Sequence, residues 1–529
     1  MINAVKVISG VCGSGKSVGT SLAMRCVHEL AALQGSLDVT IFASKTIELS
    51  HQNHSNYVHM ISLPDGKSVA WSETPTLLID SELSANVNQQ INEAIAGGFK
   101  GVIFTTHAAL EMISEHNLNR CDVFVDEVPD NLAHYMAVKH TDSFLTRNIS
   151  EWVDLLPIEG NNDFQLAKLK PCVDKEEVLN LINAVRTGKN TAITAAMANI
   201  LEFLVLDYSV MYYSAASDDT LVQYFHAVKY HALEKVIKNA KSLHVLAANV
   251  DASVFGYVCE RVLNTPLELT AYEGRLLKQK HNHKVTIVPF LIDGEWSNNL
   301  KQSVASDKLD TDSEEVVANL IQKFSLDVLG SDFLMFHNKD DVLISDVIRA
   351  DVTPLLTQVH GMNNYRHIDK ASFIASLRPS PYEEKVLRLF EKEIAGTDKG
   401  ELYNRVVTGR CYEAAYQCCL RTGLRNHEPN NNEFVLVVPD MKYANYIAER
   451  FEDGCVTIDT SKGYKTKTAQ KRAEAKDNRL DTVVAILTDK KNKVAKMPEL
   501  LTKYGIHRNS FNNYKKEFKA ELQALGLVK

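Results

Sequence analysis

The run Ile8-Ser9-Gly10-Val11-Cys12-Gly13-Ser14-Gly15-Lys16-Ser17 decides how this chain is read. It has the spacing G-x-x-x-x-G-K-S of a phosphate-binding loop. Its glycines let the backbone approach a phosphate chain with no Cβ in the way, and successive N–H groups then form an anion nest. Gly10, Gly13, Ser14 and Gly15 would cradle the phosphates, with Lys16 on the β- and γ-phosphates and the Ser17 hydroxyl on Mg²⁺. The expected ligand is therefore ATP with Mg²⁺. Val5, Val7 and Ile8 supply a strand before the loop. Ser17 to Leu33 supplies a helix after it, with Leu22, Cys26 and Leu30 at four-residue spacing. The positive end of that helix would face the phosphates.

Downstream, apolar strands alternate with helical stretches, which predicts a parallel sheet. Val39 to Ala43 leads into Ser44-Lys45-Thr46, and Val102 to Phe104 leads into Thr105-Thr106-His107. Functional side chains of such sheets gather at the carboxyl ends of strands. Hydroxyls and a lysine there would hold a phosphodiester backbone; for Ser44 and Thr105, plain helix capping is the competing reading. Val123-Phe124-Val125-Asp126-Glu127 is a buried strand ending in two carboxylates. Asp126 suits the Mg²⁺ shell, and Glu127 suits orienting or deprotonating the attacking water. From about 130 to 241 the chain reads as a helical insertion, broken at Pro157, Gly160 and Pro171. Its most apolar stretch, Thr191 to Leu206, is interrupted by Glu202 and predicts a buried helix rather than a membrane span. Leu243 to Leu246 restores strand character and ends in Ala247-Ala248-Asn249, where a polar group could sense nucleotide state.

A second α/β unit without a phosphate loop follows. Val285–Ile292, Phe333–Asn338, Phe373–Ala375 and Val435–Asp440 are its strand candidates. Gln417, Arg421 and Arg425 stand at four-residue spacing, which predicts one helix face. Two guanidiniums and an amide suit a phosphate chain held by a neighbouring domain, where an arginine finger stabilises charge on the transferring phosphoryl. A solvated, salt-bridged face is the competing reading.

The chain has 529 residues, 45% hydrophobic and 23% charged, a soluble globular composition with room for several domains. It opens in a strand-like segment rather than a charged-then-apolar leader, so a cytoplasmic setting is expected. Its nine cysteines contain no C-x-x-C pair and read as reduced thiols, not as a disulfide or zinc framework. Net charge is −8, yet residues 462–529 carry 17 Lys+Arg against 7 Asp+Glu. A basic tail on an acidic body is an electrostatic footprint for nucleic acid. Within it, Lys462 to Arg479 reads as a linker or a helix near DNA, and Leu480 to Leu487 as a short helix. Met497 to Tyr514 reads as a helix-turn-helix turning at Gly505, with Leu500, Tyr504, Ile506, Phe511 and Tyr514 inward. Arg508, Asn509, Asn512, Asn513, Lys515 and Lys516 would face DNA. A plain three-helix module is the competing reading.

Taken in order, these stretches resemble the superfamily 2 DEAD-like helicases, particularly phage-type DNA helicases. Gly10–Ser17 resembles motif I, Ala43–Thr46 motif Ia, and Phe104–Leu110 the strand-end segment that follows. Asp126-Glu127 resembles motif II and Ala247-Ala248-Asn249 stands at motif III. Phe336-His337-Asn338 stands at motif IV, His360–Tyr365 resembles motif V, and Gln417, Arg421 and Arg425 resemble motif VI. Motif VI carries one residue more than usual between its arginines, so either could be the finger. Motif II departs from the family at its fourth position, which is Pro129. The resemblance implies two RecA-like domains closing on ATP, with DNA crossing both.

The fold expected is therefore α/β: two RecA-like parallel-sheet domains, at 1–285 and 286–460, and a small all-helical, helix-turn-helix-like domain at 461–529. The first would carry the helical insertion. The function expected is that of an ATP-dependent DNA helicase or translocase of phage replication or recombination. Single-stranded DNA would lie in the motor core and duplex at the C-terminal domain, with replication or recombination proteins as further partners and no membrane. The main rival is a replication-origin binding protein that uses ATP as a conformational switch. A DNA-packaging motor is a third reading, without the distal carboxylate cluster its nuclease would need.

Overall fold

The computed structural model describes residues 2–11, 14, 16–58, 74–130, 132–140, 151–186, 188, 193–217, 220–270, 280–357, 365–425 and 433–528. Seven parallel strands make the first sheet. Across it they run Leu267–Leu269, Val5–Val7, Ser242–Leu246, Cys121–Asp126, Val39–Ser44, Gly101–Thr106 and Thr76–Leu78. The central strands are buried at nearly every position, as a sheet covered on both faces requires. The phosphate loop leaves the Val5–Val7 strand. Gly13 and Gly15, like Cys12, lie outside the described residues.

The helix after the loop, Lys16–Leu33, buries a different stripe from the one its apolar spacing predicts. Cys26 is exposed and Leu30 is 57% exposed, whereas Met24, Arg25 and His28 are buried. Hydrogen bonds set the rotation: His28 Nδ1 meets the Tyr57 hydroxyl at 2.9 Å and its Nε2 meets Thr40 Oγ1 at 3.0 Å. Burial lowers the His28 pKa to about 4, so the ring is neutral in both bonds.

The expected helical insertion is corrected by the structure. Residues 134–229 carry a five-stranded antiparallel sheet. Its order is His134–His140, Thr220–Lys229, Val210–Ser217, Asn161–Leu169 and Val153–Ile158. Helices Lys175–Arg186 and Ala195–Val205 accompany it, and the latter lies within the apolar stretch read as a buried helix. Cross-strand pairs Tyr224↔Tyr213 and Phe225↔Tyr212 hold the register through aromatic contact. The strand Val210–Ser217 is covered on both faces. Tyr212 joins the apolar cluster of the helix Ala195–Val205, while Tyr213 and Met211 join the main core.

Six parallel strands make the second sheet: Val352–Leu356, Phe333–His337, Lys370–Phe373, Phe434–Asp440, Val285–Leu291 and Val456–Ile458. Among the described residues no helix is long and apolar enough to cross a membrane. The last stretch holds helices Lys467–Lys491, Met497–Lys503, Arg508–Glu517 and Lys519–Ala524. They close on their own core of Val483, Ile486, Leu487, Leu500, Leu501, Phe511, Phe518 and Leu522. The stretches read separately as linker and short helix are one 25-residue helix.

Candidate functional site: a cleft between two parallel sheets

Both sheets send strand ends and following helices into one cavity of about 610 Å³, a size suited to a small-molecule ligand. From the first side come Ser14, Lys16, Ser17, Lys45, Asp126 and Glu127; from the second come Gln417, Arg421 and Arg425. Residues read separately from distant sequence thus meet on one surface.

Asp126 ends the strand Cys121–Asp126 and is 3% exposed. Ser17 Oγ donates to its Oδ1 at 2.7 Å. Asn53 Nδ2 donates to its Oδ2 at 2.9 Å and to Ser44 Oγ at 3.0 Å. Burial first, and the neighbouring Glu127 second, push the Asp126 carboxyl up to about 6. A buried carboxylate beside a second one is relieved by a divalent cation. Ser17 and Asp126 stand close enough that both would hold one Mg²⁺, so the residues present fit that ion. Among the described residues no cluster of three or more His, Cys, Asp or Glu offers another metal site.

Glu127 follows immediately with φ of +70°, a left-handed conformation that costs a non-glycine residue. Its N–H is tied to the Leu246 carbonyl at 3.1 Å, which fixes the turn. The strained turn aims the side chain into the cleft rather than along the strand. Lys16 Nζ donates to the carbonyls of Gly10 at 2.8 Å and Val11 at 3.0 Å, which holds the ammonium over the loop.

Gln417 sits on the helix Ala414–Cys419, but Arg421 and Arg425 do not continue it. The helix ends at Cys419, where the Thr422 hydroxyl donates to the Cys419 carbonyl at 2.9 Å. A short 3₁₀ turn, Gly423–Arg425, follows. A Cβ on Gly423 would come to 3.0 Å from Asp369 Oδ1 and from the Phe434 ring, so a larger residue there would have to push these side chains aside by a few tenths of an ångström. The expected single helix face is therefore a helix, a turn and a 3₁₀ turn, and the three side chains still reach one cavity.

Several residues read as nucleic-acid contacts take other places. Ser44 and Thr105 are fully buried, and Thr105 Oγ1 donates to the Ile79 carbonyl at 2.7 Å. His107 is 4% exposed, and its Nε2 donates to the Asp126 carbonyl at 2.9 Å. Burial lowers its pKa to about 4. None of these three offers a surface to a phosphodiester; Ser44, through Asn53, and His107 brace the end of the Asp126 strand, and Thr105 ties its own strand to Ile79. Thr46 accepts from the Leu49 N–H at 3.2 Å, and Thr106 caps the following helix through the Ala109 N–H. Lys45 points into the cleft, 3.4 Å from Asp130 and 4.0 Å from Glu127. Of the residues standing at motif V, His360–Asn364 lie outside the described residues.

The cleft also holds Asn249, read from the sequence as a polar group after a strand, and joins it to Glu413 and Tyr446, which the sequence reading missed. Asn249, at the end of the strand Ser242–Leu246, donates to Glu413 Oε2 at 2.6 Å and to the Tyr446 hydroxyl at 3.0 Å. Glu413 in turn accepts from Gln417 at 2.9 Å and from the Tyr446 hydroxyl at 2.7 Å. This network joins the first sheet to the helix before the arginines. Glu413 stands four residues before Gln417, the one local signal that could have found it. Glu413 belongs to a π-helical turn, Thr408–Glu413, a rare geometry that gathers at functional sites. Arg410 of that turn also lines the cavity, over the Tyr135 ring at 5.2 Å.

No protein-family model matches the chain, and no curated protein does. Among solved structures it is similar to an apo XPD structure at 10% identity and a TM-score of 0.46, over 86% of this chain and 97% of that one. An XPD helicase structure matches at 12% identity and 0.46, over 87% and 96%. RecG bound to a three-way DNA junction matches at 10% identity and 0.28, over 85% and 42%. The functional reading rests on the cleft itself.

Proposed function

We propose that the protein is an ATP-dependent motor on nucleic acid, a DNA helicase or translocase. The observation that carries this is the cleft in which Lys16, Ser17, Asp126 and Glu127 of one parallel-sheet domain face Gln417, Arg421 and Arg425 of another. Lys16 and the loop backbone would bind the phosphates, and Ser17 and Asp126 would hold Mg²⁺, which supplies charge neutralisation when bound. Glu127 would take the proton of the attacking water. The arginines would stabilise charge on the transferring phosphoryl, so hydrolysis requires both domains together. That requirement lets each ATP cycle close and open the cleft. The order of the motifs supports the helicase resemblance, and the basic C-terminal stretch supports DNA as the partner. On this reading residues 1–285, 286–460 and 461–529 are two motor domains and a DNA-binding element.

The test is steady-state ATP hydrolysis with and without single-stranded DNA. Stimulation by DNA, and its loss with basal turnover in Lys16→Ala, is the expected result; turnover by Lys16→Ala at the wild-type rate would remove the proposal. The separate core of the C-terminal helices favours a second reading, an origin-binding protein with an ATP switch. Slow hydrolysis indifferent to DNA would select it.

The Asn249 network gives a sharper expectation. Asn249→Ala cuts the link from the first sheet to Glu413 and Tyr446 while leaving the phosphate loop and Glu127 in place. Basal hydrolysis is expected to stay within a few-fold, and DNA stimulation to fall by roughly 5-fold or more, the scale of a typical coupling free energy. Equal losses with and without DNA would mean that Asn249 serves the site locally.

A further inference from the structure

The C-terminal helices present a second polar surface, separate from the cleft. The Met497–Lys503 and Arg508–Glu517 helices are joined by four residues, with Gly505 at φ +63° making the turn. Leu500, Leu501 and Phe511 bury against Val483, Ile486 and Leu487 of the long helix, which fixes the rotation of Arg508–Glu517. Phe511 is inward, and Tyr514 lies 5.3 Å from the Arg479 guanidinium. Arg508, Asn509, Asn512, Asn513, Lys515 and Lys516 are all exposed. At about 100° per residue these six side chains occupy an arc of about 160°. The acid beside that arc, Glu517, is 3.8 Å from Arg479.

The face therefore presents three cations and three primary amides on a helix about 15 Å long. Cations alone would suit any polyanion. The amides add a different chemistry, because each asparagine sets a donor beside an acceptor. That pair matches the N6 and N7 edge of adenine, which is open in the major groove of B-form DNA. The deep, narrow major groove of an RNA duplex does not admit such a helix.

The support of this unit is stiff. The helix Lys467–Lys491 is about 37 Å long and is anchored at its start on the second motor domain. There the Thr466 N–H donates to Asp293 Oδ1 at 2.6 Å, and Thr466 pairs with Leu309. Lys471 and Ala475–Asn478 are exposed, and Lys476 lies 5.7 Å from the Phe518 ring of the C-terminal core.

We propose that the Arg508–Glu517 helix reads adenine-containing duplex DNA in the major groove, and that the long helix holds this duplex at a set distance from the ATP cleft. The proposal rests on the reading of residues 461–529 as a DNA-binding element, and it adds a substrate class: a specific duplex sequence, where the motor core needs none. Asn509, Asn512 and Asn513 read bases, while Lys515 and Lys516 hold phosphates.

The test selects duplexes from a random pool with the full-length protein, then compares the selected duplex with a shuffled one across a range of salt. The expected result is an enriched element with adenine at two or more positions. Asn512→Ala, and similarly Asn509→Ala and Asn513→Ala, should weaken the selected duplex about 10-fold and leave the shuffled one unchanged. Lys515→Ala should weaken both alike and lower the slope of log affinity against log salt by about 1. No enrichment, or enrichment untouched by all three asparagine variants, overturns the proposal. If the lysine variants still weaken both duplexes, the DNA-binding reading survives that failure; if they change neither duplex, it falls as well. ATP hydrolysis stimulated by single-stranded DNA, measured on Asn512→Ala, should match the wild type and keeps the motor reading separate.

Discussion

Glu127→Gln is expected to lower ATP turnover by roughly 10²–10⁴-fold, the usual contribution of a positioned general base. The substitution keeps side-chain length and hydrogen-bonding capacity and removes only the charge and the basic oxygen. It leaves the Ser17–Asp126 pair intact, so the cation site survives. It also leaves Lys16 and its loop carbonyls untouched, so ATP affinity should change by no more than a few-fold. The left-handed backbone at position 127 strengthens the expectation. Such a conformation persists only where surrounding structure holds it, here the bond from its N–H to Leu246, and it fixes where the carboxylate stands. Glutamine inherits that placement and cannot accept the proton. Single-turnover hydrolysis beside equilibrium binding of a fluorescent nucleotide checks both halves. Turnover within about 5-fold of wild type would show that another group activates the water.

The legible parts of the chain were those in which one strand carries its own evidence. A continuous apolar run ending in polar residues marks a parallel strand and its functional end together. This holds for Val123–Glu127, Val39–Lys45 and Leu243–Asn249, which all end at or beside the cleft. The inserted sheet was illegible for the opposite reason. Tyr212 and Tyr213 bury into different cores, so the strand lacks the polar alternation that would betray it. The long C-terminal helix was read in two pieces because its first half is polar all round and shows no period. Side-chain roles failed where the partner is remote in sequence. Asn53 reaches Asp126 across 73 positions, and Ser44 and His107 end up bracing the Asp126 strand instead of facing DNA. The arginines meet for a reason the spacing did not contain. Their shared helix face does not exist, yet the turn after Cys419 delivers both to the same cavity.

That turn also separates the two arginines. Arg421 is 5% exposed and sits in the cleft wall directly after the helix, where Gln417 and Glu413 hold the preceding turn in place. Arg425 is more exposed and ends the 3₁₀ turn at the margin of the described segment. A guanidinium held by packing in the cleft wall loses little freedom when it meets a developing charge. Arg421→Gln should therefore cost about 10³-fold or more in kcat, the lower range for an arginine finger. Arg425→Gln should act mainly on KM. Arg421→Lys should recover little, since an ammonium cannot reproduce the planar fork that spans two phosphate oxygens. Thermal melting of each variant guards against a folding defect at a buried position, and kcat and KM for ATP at saturating DNA decide the assignment. A larger kcat loss in Arg425→Gln than in Arg421→Gln would place the finger at 425, and the 3₁₀ turn Gly423–Arg425 would then be the element that delivers it.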